Sequence, residues 1–175
     1  MTNLTYYFCI GICFLFACKS QKQTESGSNT QTDVRLVESI PSTASNLDFE
    51  LIQDGMYCGY NETGDLLIQD ADAWKSLWSK VGSNQIPPPD LPVVDFSTHM
   101  VLASFMGPQN SGGYALKISK VQSDNNTAYV TVSHRKPGPE CFVTDAITQP
   151  YCIVTIKREN INTAAFLIKE EVNDC

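Results

Sequence analysis

The chain has 175 residues, 42% of them hydrophobic, with 12 Lys and Arg against 19 Asp and Glu for a net charge of −7. This is enough apolar material for one domain with appendages. A pI near 4.7 leaves neither the basic stripe that nucleic-acid phosphates require nor a polybasic patch for an anionic membrane.

In chain order, Leu4 to Ala17 comes first and reads LTYYFCIGICFLFA, without a charge. As a helix it spans about 21 Å, short of the roughly 30 Å hydrocarbon core, so residues 1–17 read as a signal peptide. Its end, Leu15-Phe16-Ala17-Cys18, resembles the lipobox of bacterial lipoproteins, and the resemblance implies a lipid on Cys18. Lys19 to Asp33 contains no large apolar residue and cannot offset its own ordering entropy. Residues 18–45 are therefore expected to be a lipidated Cys and polar tether, and 46–175 the domain. The expected location is the bacterial cell envelope, extracytoplasmic and lipid-anchored, with leaflet and face left open.

Four cysteines lie in the domain: Cys58, Cys141, Cys152 and Cys175. An even count in an exported domain predicts two disulfides. Cys141 and Cys152, the nearest pair, have ten residues between them, too many for a short-spaced zinc motif. No metal or other cofactor is expected.

Asn46 to Tyr60 reads as one or two short strands broken at Asp54-Gly55. In Asp70 to Val81, Trp74, Leu77, Trp78 and Val81 recur at helical spacing, with Asp70 or Asp72 as N-cap and Gly82 as the stop. The two tryptophans suggest either an aromatic ligand platform or, more plainly, packing of the helix on a sheet. Ile86 to Pro92, with four prolines in seven residues, is a stiff connector.

From Val94 onward the pattern is β. Met100 to Met106 is nearly all apolar, as in a strand covered on both faces. Tyr114 to Val121 alternates, and Thr127 to His134 follows the turn tetrad Ser123 to Asn126. Tyr151 to Lys157 and Ala164 to Glu171 are expected to pair as a hairpin around Asn160 to Asn162. Such a hairpin would set Cys152 opposite about Glu170, too far from Cys175 to bond. That leaves Cys58–Cys152 with Cys141–Cys175, or Cys58–Cys175 with Cys141–Cys152. The first is preferred, because Cys175 overruns toward the start of the strand that Cys141 precedes. Short strands with one early helix predict a mainly β fold: an antiparallel immunoglobulin-like sandwich or related barrel, with one α-helix packed near residues 70–82.

Chemistry has little purchase here. The two histidines, His99 and His134, sit at strand ends outside any motif, and Ser111 lacks the flanking spacing of a nucleophile elbow. A non-enzyme is expected. Two loops stand out instead: Gly107 to Tyr114, where Gly112 and Gly113 permit positive φ and close approach, and Arg135 to Glu140, built on Pro137-Gly138-Pro139. Binding loops concentrate at the ends of sandwiches, which nominates Gln109, Asn110, Ser111, Gly112, Gly113, Tyr114, Lys136, Pro137 and Gly138 as partner contacts.

The blocks Val94-Asp95-Phe96, Met100-Val101-Leu102, Phe105-Met106-Gly107, Ser111-Gly112-Gly113-Tyr114, Pro137-Gly138-Pro139 and Thr148-Gln149-Pro150-Tyr151 resemble the PrcB C-terminal domain family over about residues 93–158. The resemblance implies association with a protease or protease-complex subunit. The Gly-Tyr loop is also similar, in part, to chagasin-type cysteine-protease inhibitors. The expected function is a non-catalytic, membrane-anchored binding module that contacts a protease or other envelope protein through loops 107–114 and 135–140. A surface module for glycans or small ligands is the alternative, and a hydrolase the third reading.

Overall fold

Two strands of this chain, at residues 99–105 and 151–157, are apolar on both faces, so the architecture must cover each from both sides. The computed structural model describes residues 34–175; the expected signal peptide (residues 1–17), Cys18 and residues 19–33 lie outside the described residues. In chain order the elements are β1 (Val34–Leu36), β2 (Ser45–Asn46), β3 (Phe49–Gly55), β4 (Gly64–Ile68), α1 (Ala71–Val81), β5 (His99–Phe105), β6 (Ala115–Asp124), β7 (Thr127–Pro137), β8 (Tyr151–Lys157) and β9 (Thr163–Asn173). They form a four-stranded sheet ordered β3-β8-β5-β4 and a five-stranded sheet ordered β1-β9-β7-β6-β2. Among the described residues the result is a β-sandwich with one helix and no closed barrel.

β5 and β8 occupy the middle of the four-stranded sheet, and their side chains alternate between two cores. Met100, Leu102, Cys152, Val154 and Ile156 face the five-stranded sheet, where they meet Ile118, Val130, Val132 and Phe166. Val101, Ala103, Phe105, Tyr151 and Ile153 face the helix and meet Trp74, Leu77, Trp78 and Val81. The helix starts where Asp70 accepts a 2.8 Å bond from the Ala73 amide and ends at Gly82. Both indoles are buried. Their N–H groups donate to Pro92 O at 2.9 Å and Pro89 O at 3.2 Å, so the proline-rich connector is a cover bolted onto the helix.

β6 and β7 form the expected hairpin, and Asn125 takes the left-handed conformation (φ 53°) its turn demands. Three expectations need correction. β8 and β9 do not form a hairpin: β8 pairs with β3 and β5 in one sheet, and β9 runs parallel to β7 in the other. β8 is apolar on both faces and already flanked on both edges, so it has no room for β9. The five-stranded sheet is accordingly mixed, with β1 also parallel to β9. Finally, Val34–Leu36 and Ser45–Asn46 are sheet residues, so the folded unit includes part of the segment read as tether.

The cysteines follow from the topology. β9 lies beside β7 with Pro137 opposite Asn173, so Cys141 and Cys175 emerge just beyond the same end. They form a disulfide with Cα atoms 5.5 Å apart. The preferred Cys58–Cys152 bond is absent: both thiols are free and buried. Cys58 belongs to the helix-side core and Cys152 to the inter-sheet core, so the four-stranded sheet stands between them. Burial raises the pKa of both thiols.

Candidate functional site: the end loops

The two loops singled out by composition do meet at one end of the sandwich, and what joins them is the β7–β8 connection, residues 138–150. Gln109 and Thr148 exchange backbone bonds of 2.7 and 3.0 Å, Gly112 N donates to Thr144 O at 2.9 Å, and the Thr148 hydroxyl donates to Ser111 O at 3.0 Å. Thr148 is fully buried. The Gln109 amide folds back onto Met106 O at 3.2 Å. Tyr114 is half-buried against the inter-sheet core. Only Pro108, Asn110 and Gly113 of this loop are exposed.

The glycines permit close approach, but of the chain to itself. A Cβ on Gly112 would lie 2.3 Å from Thr144 Oγ1, and one on Gly113 (φ +88°) 2.9 Å from Val143 Cγ1. The second loop is shorter than expected, since Arg135 to Pro137 belong to β7. There Lys136 pairs with Glu170 of β9 at 2.7 Å, which holds the Glu170 pKa below its usual value. Gly138 N donates to Asn173 O at 2.9 Å. The nominated residues are thus brought together mostly as scaffold.

What they hold up is an apolar surface that loop composition did not reveal. Phe142 is fully exposed, with Ile147 at 66%, Val172 at 63% and Val143 at 41% exposure. The segment is clamped at its base by Cys141–Cys175 and along its length by the bonds to Gln109, Ser111 and Gly112. Gln149 N, at the far end of the segment, donates to Met56 O at 2.7 Å, and Met56 and Tyr57 are exposed there as well. A signal for this existed in the sequence: Phe142-Val143 is an apolar pair outside any strand or helix periodicity, next to a disulfide cysteine.

The histidines lie elsewhere. His99 Nδ1 is 2.9 Å from Thr98 Oγ1, which also contacts Asp95 Oδ2 at 2.8 Å. Bonds from Ser97 and Thr98 lower the Asp95 pKa. His134 is in the other sheet, and its Nε2 is buried without a hydrogen-bond partner. Desolvation lowers its pKa, Lys136 adds to that, and Glu170 opposes it. Among the described residues no group of three or more His, Cys, Asp or Glu is placed to hold a metal ion, and no helix is long and apolar enough to cross a membrane.

This arrangement runs from β5 through both end loops to β8. The model of the PrcB C-terminal family matches residues 100–157. The PrcB C-terminal match thus takes in β5 from Met100, β6, β7, β8 and the whole 138–150 connection, close to the range expected from the sequence blocks. No curated protein and no solved structure matches the chain.

Proposed function

We propose that this protein is a non-catalytic docking module that binds a protease or protease-complex subunit through the end-loop surface, with Phe142 as its anchor. The carrying observation is the exposure of Phe142, Val143 and Ile147 on a segment held by a disulfide and backbone bonds. Large apolar side chains left exposed together on one short segment favour an interaction site, and a pre-clamped loop loses little entropy on binding. The PrcB C-terminal match points to a protease-associated partner. Lipid on Cys18 would hold the module at the envelope membrane. Burial of Trp74 and Trp78 leaves neither indole available as a glycan platform.

The test is cross-linking of the full-length protein in its native cells, then affinity capture and mass spectrometry, with wild type beside Phe142→Asp. A protease subunit retained by wild type and lost by the variant supports the reading; a partner set without one, or identical for both chains, refutes it. Gly112→Trp is not a clean probe, because its side chain would displace Thr144.

A further inference from the structure

β9 is longer than the strand that covers its outer edge. β1 pairs with Ala164 to Phe166 only, while β7 accompanies β9 from Thr163 to Asn173. Among the described residues, no strand lies beside Leu167 to Asn173 on the side away from β7. The Val37 amide donates to Phe166 O, so the peptide groups of Phe166 face the β1 side. Backbone groups alternate along a strand, and those of Ile168, Glu170 and Val172 therefore face the same open edge.

We propose that a second copy of this chain pairs antiparallel along this edge, with the two-fold axis at Glu170. This register faces Glu170 with Glu170 and Ile168 with Val172, each pair presenting both N–H and C=O to its mate. On one face Ile168 would cover the exposed Val172. On the other, Lys169 of each copy stands opposite Glu171 of the other, both being exposed. The central Glu170 carboxylates are each paired with Lys136 of their own copy at 2.7 Å. Shifting the register by two residues would set Lys169 on Lys169 or Glu171 on Glu171, and cross-strand like charges are destabilising. A one-residue shift would mismatch the backbone groups. Charges on a sheet edge usually repel strangers; here Lys169 and Glu171 are complementary to their own two-fold image, and Lys136 offsets the facing Glu170 carboxylates, which favours a second copy. The contact is isologous and shares Val172 but not Phe142, Val143 or Ile147 with the end-loop surface.

The experiment uses the full-length chain in membranes of cells making it, as a mixture of light and heavy-isotope copies treated with a zero-length carbodiimide. This reagent joins a Lys amine to a carboxylate already in contact. The expected product is a mixed-isotope adduct between Lys169 and Glu171. Lys169→Glu should abolish it, and Lys169→Glu with Glu171→Lys should restore it, with thermal unfolding midpoints unchanged. No mixed-isotope adduct in wild type overturns the proposal. So does an adduct mapped to another surface, or a double swap that folds but fails to recover the product.

Discussion

The helix layer and the end loops each combine aromatic residues with a Pro/Gly-rich segment, yet they point in opposite directions. At the helix, Trp74 and Trp78 sink onto β5 and β8, and the proline connector closes over them with two carbonyl acceptors. At the end loops the glycines and hydrogen bonds are spent on fixing the backbone, and Phe142 is left fully in solvent. Aromatic composition therefore does not mark a binding surface. What separates the two is whether a sheet face lies beneath: the four-stranded sheet offers one to the helix, whereas the 138–150 segment lies beyond the strand ends.

The sharpest way to break the comparison is at the helix. Trp74→Ala removes a side chain 2% exposed and leaves a cavity between helix and sheet. Large-to-small changes of this kind cost about 3–5 kcal/mol, a fall in unfolding midpoint on the order of 10 °C for a domain of this size. Differential scanning calorimetry checks it; a loss below about 1 kcal/mol would mean the helix layer is not integral to the fold.

Next in size is the staple of the end loops. The double change Cys141→Ser with Cys175→Ser opens a loop with a sequence separation of 34 and should cost about 2–4 kcal/mol. Denaturant unfolding of oxidised wild type against the variant measures it. In the same material, Cys58 and Cys152 should resist alkylation until the protein unfolds, because both are buried. Alkylation of either in the native state would contradict their placement in two cores.

These cysteines show where the sequence was readable. The helix, the strand runs and the Asn125 turn were legible because each is encoded locally, by 3.6-residue or two-residue periodicity and by turn chemistry. A period-two pattern says which residues share a face but not which strand lies alongside. That is why β8 and β9 were expected as neighbours, and why a parallel β7–β9 pair went unforeseen. Cys141–Cys175 was favoured from a hairpin that does not exist; the parallel register that actually brings them together is a long-range fact. Cys58 and Cys152 were paired because nothing local places them on opposite sides of one sheet. Of the site, the loops were legible from Gly and Pro, but their internal role, and the exposure of Phe142, depend on the tertiary packing of residues 138–150.

The smallest effect, and the one that best sharpens the contrast, is pH. His134 lies opposite Leu116 on β6 and Glu170 on β9, with Lys136 two residues along its own strand. Its folded pKa is lowered, chiefly by desolvation, so the unfolded state binds a proton before the native state does. Stability should therefore be complete above about pH 6.5, the unfolded value, and decline as pH falls through the window down to the depressed folded pKa. Glu170, whose folded pKa is lowered by Lys136, acts in the same direction but only below about pH 4.5. The two contributions are thus separable. Between about pH 6.5 and 5, His134→Asn should flatten the dependence of stability on pH, measured by urea unfolding at each pH. Trp74→Ala, in a layer without a buried histidine, should shift that curve down and leave its slope unchanged. A slope in Trp74→Ala reduced as far as in His134→Asn would mean that the two regions unfold as one electrostatic unit, and the distinction between a non-titrating helix layer and a titrating five-stranded sheet would fail.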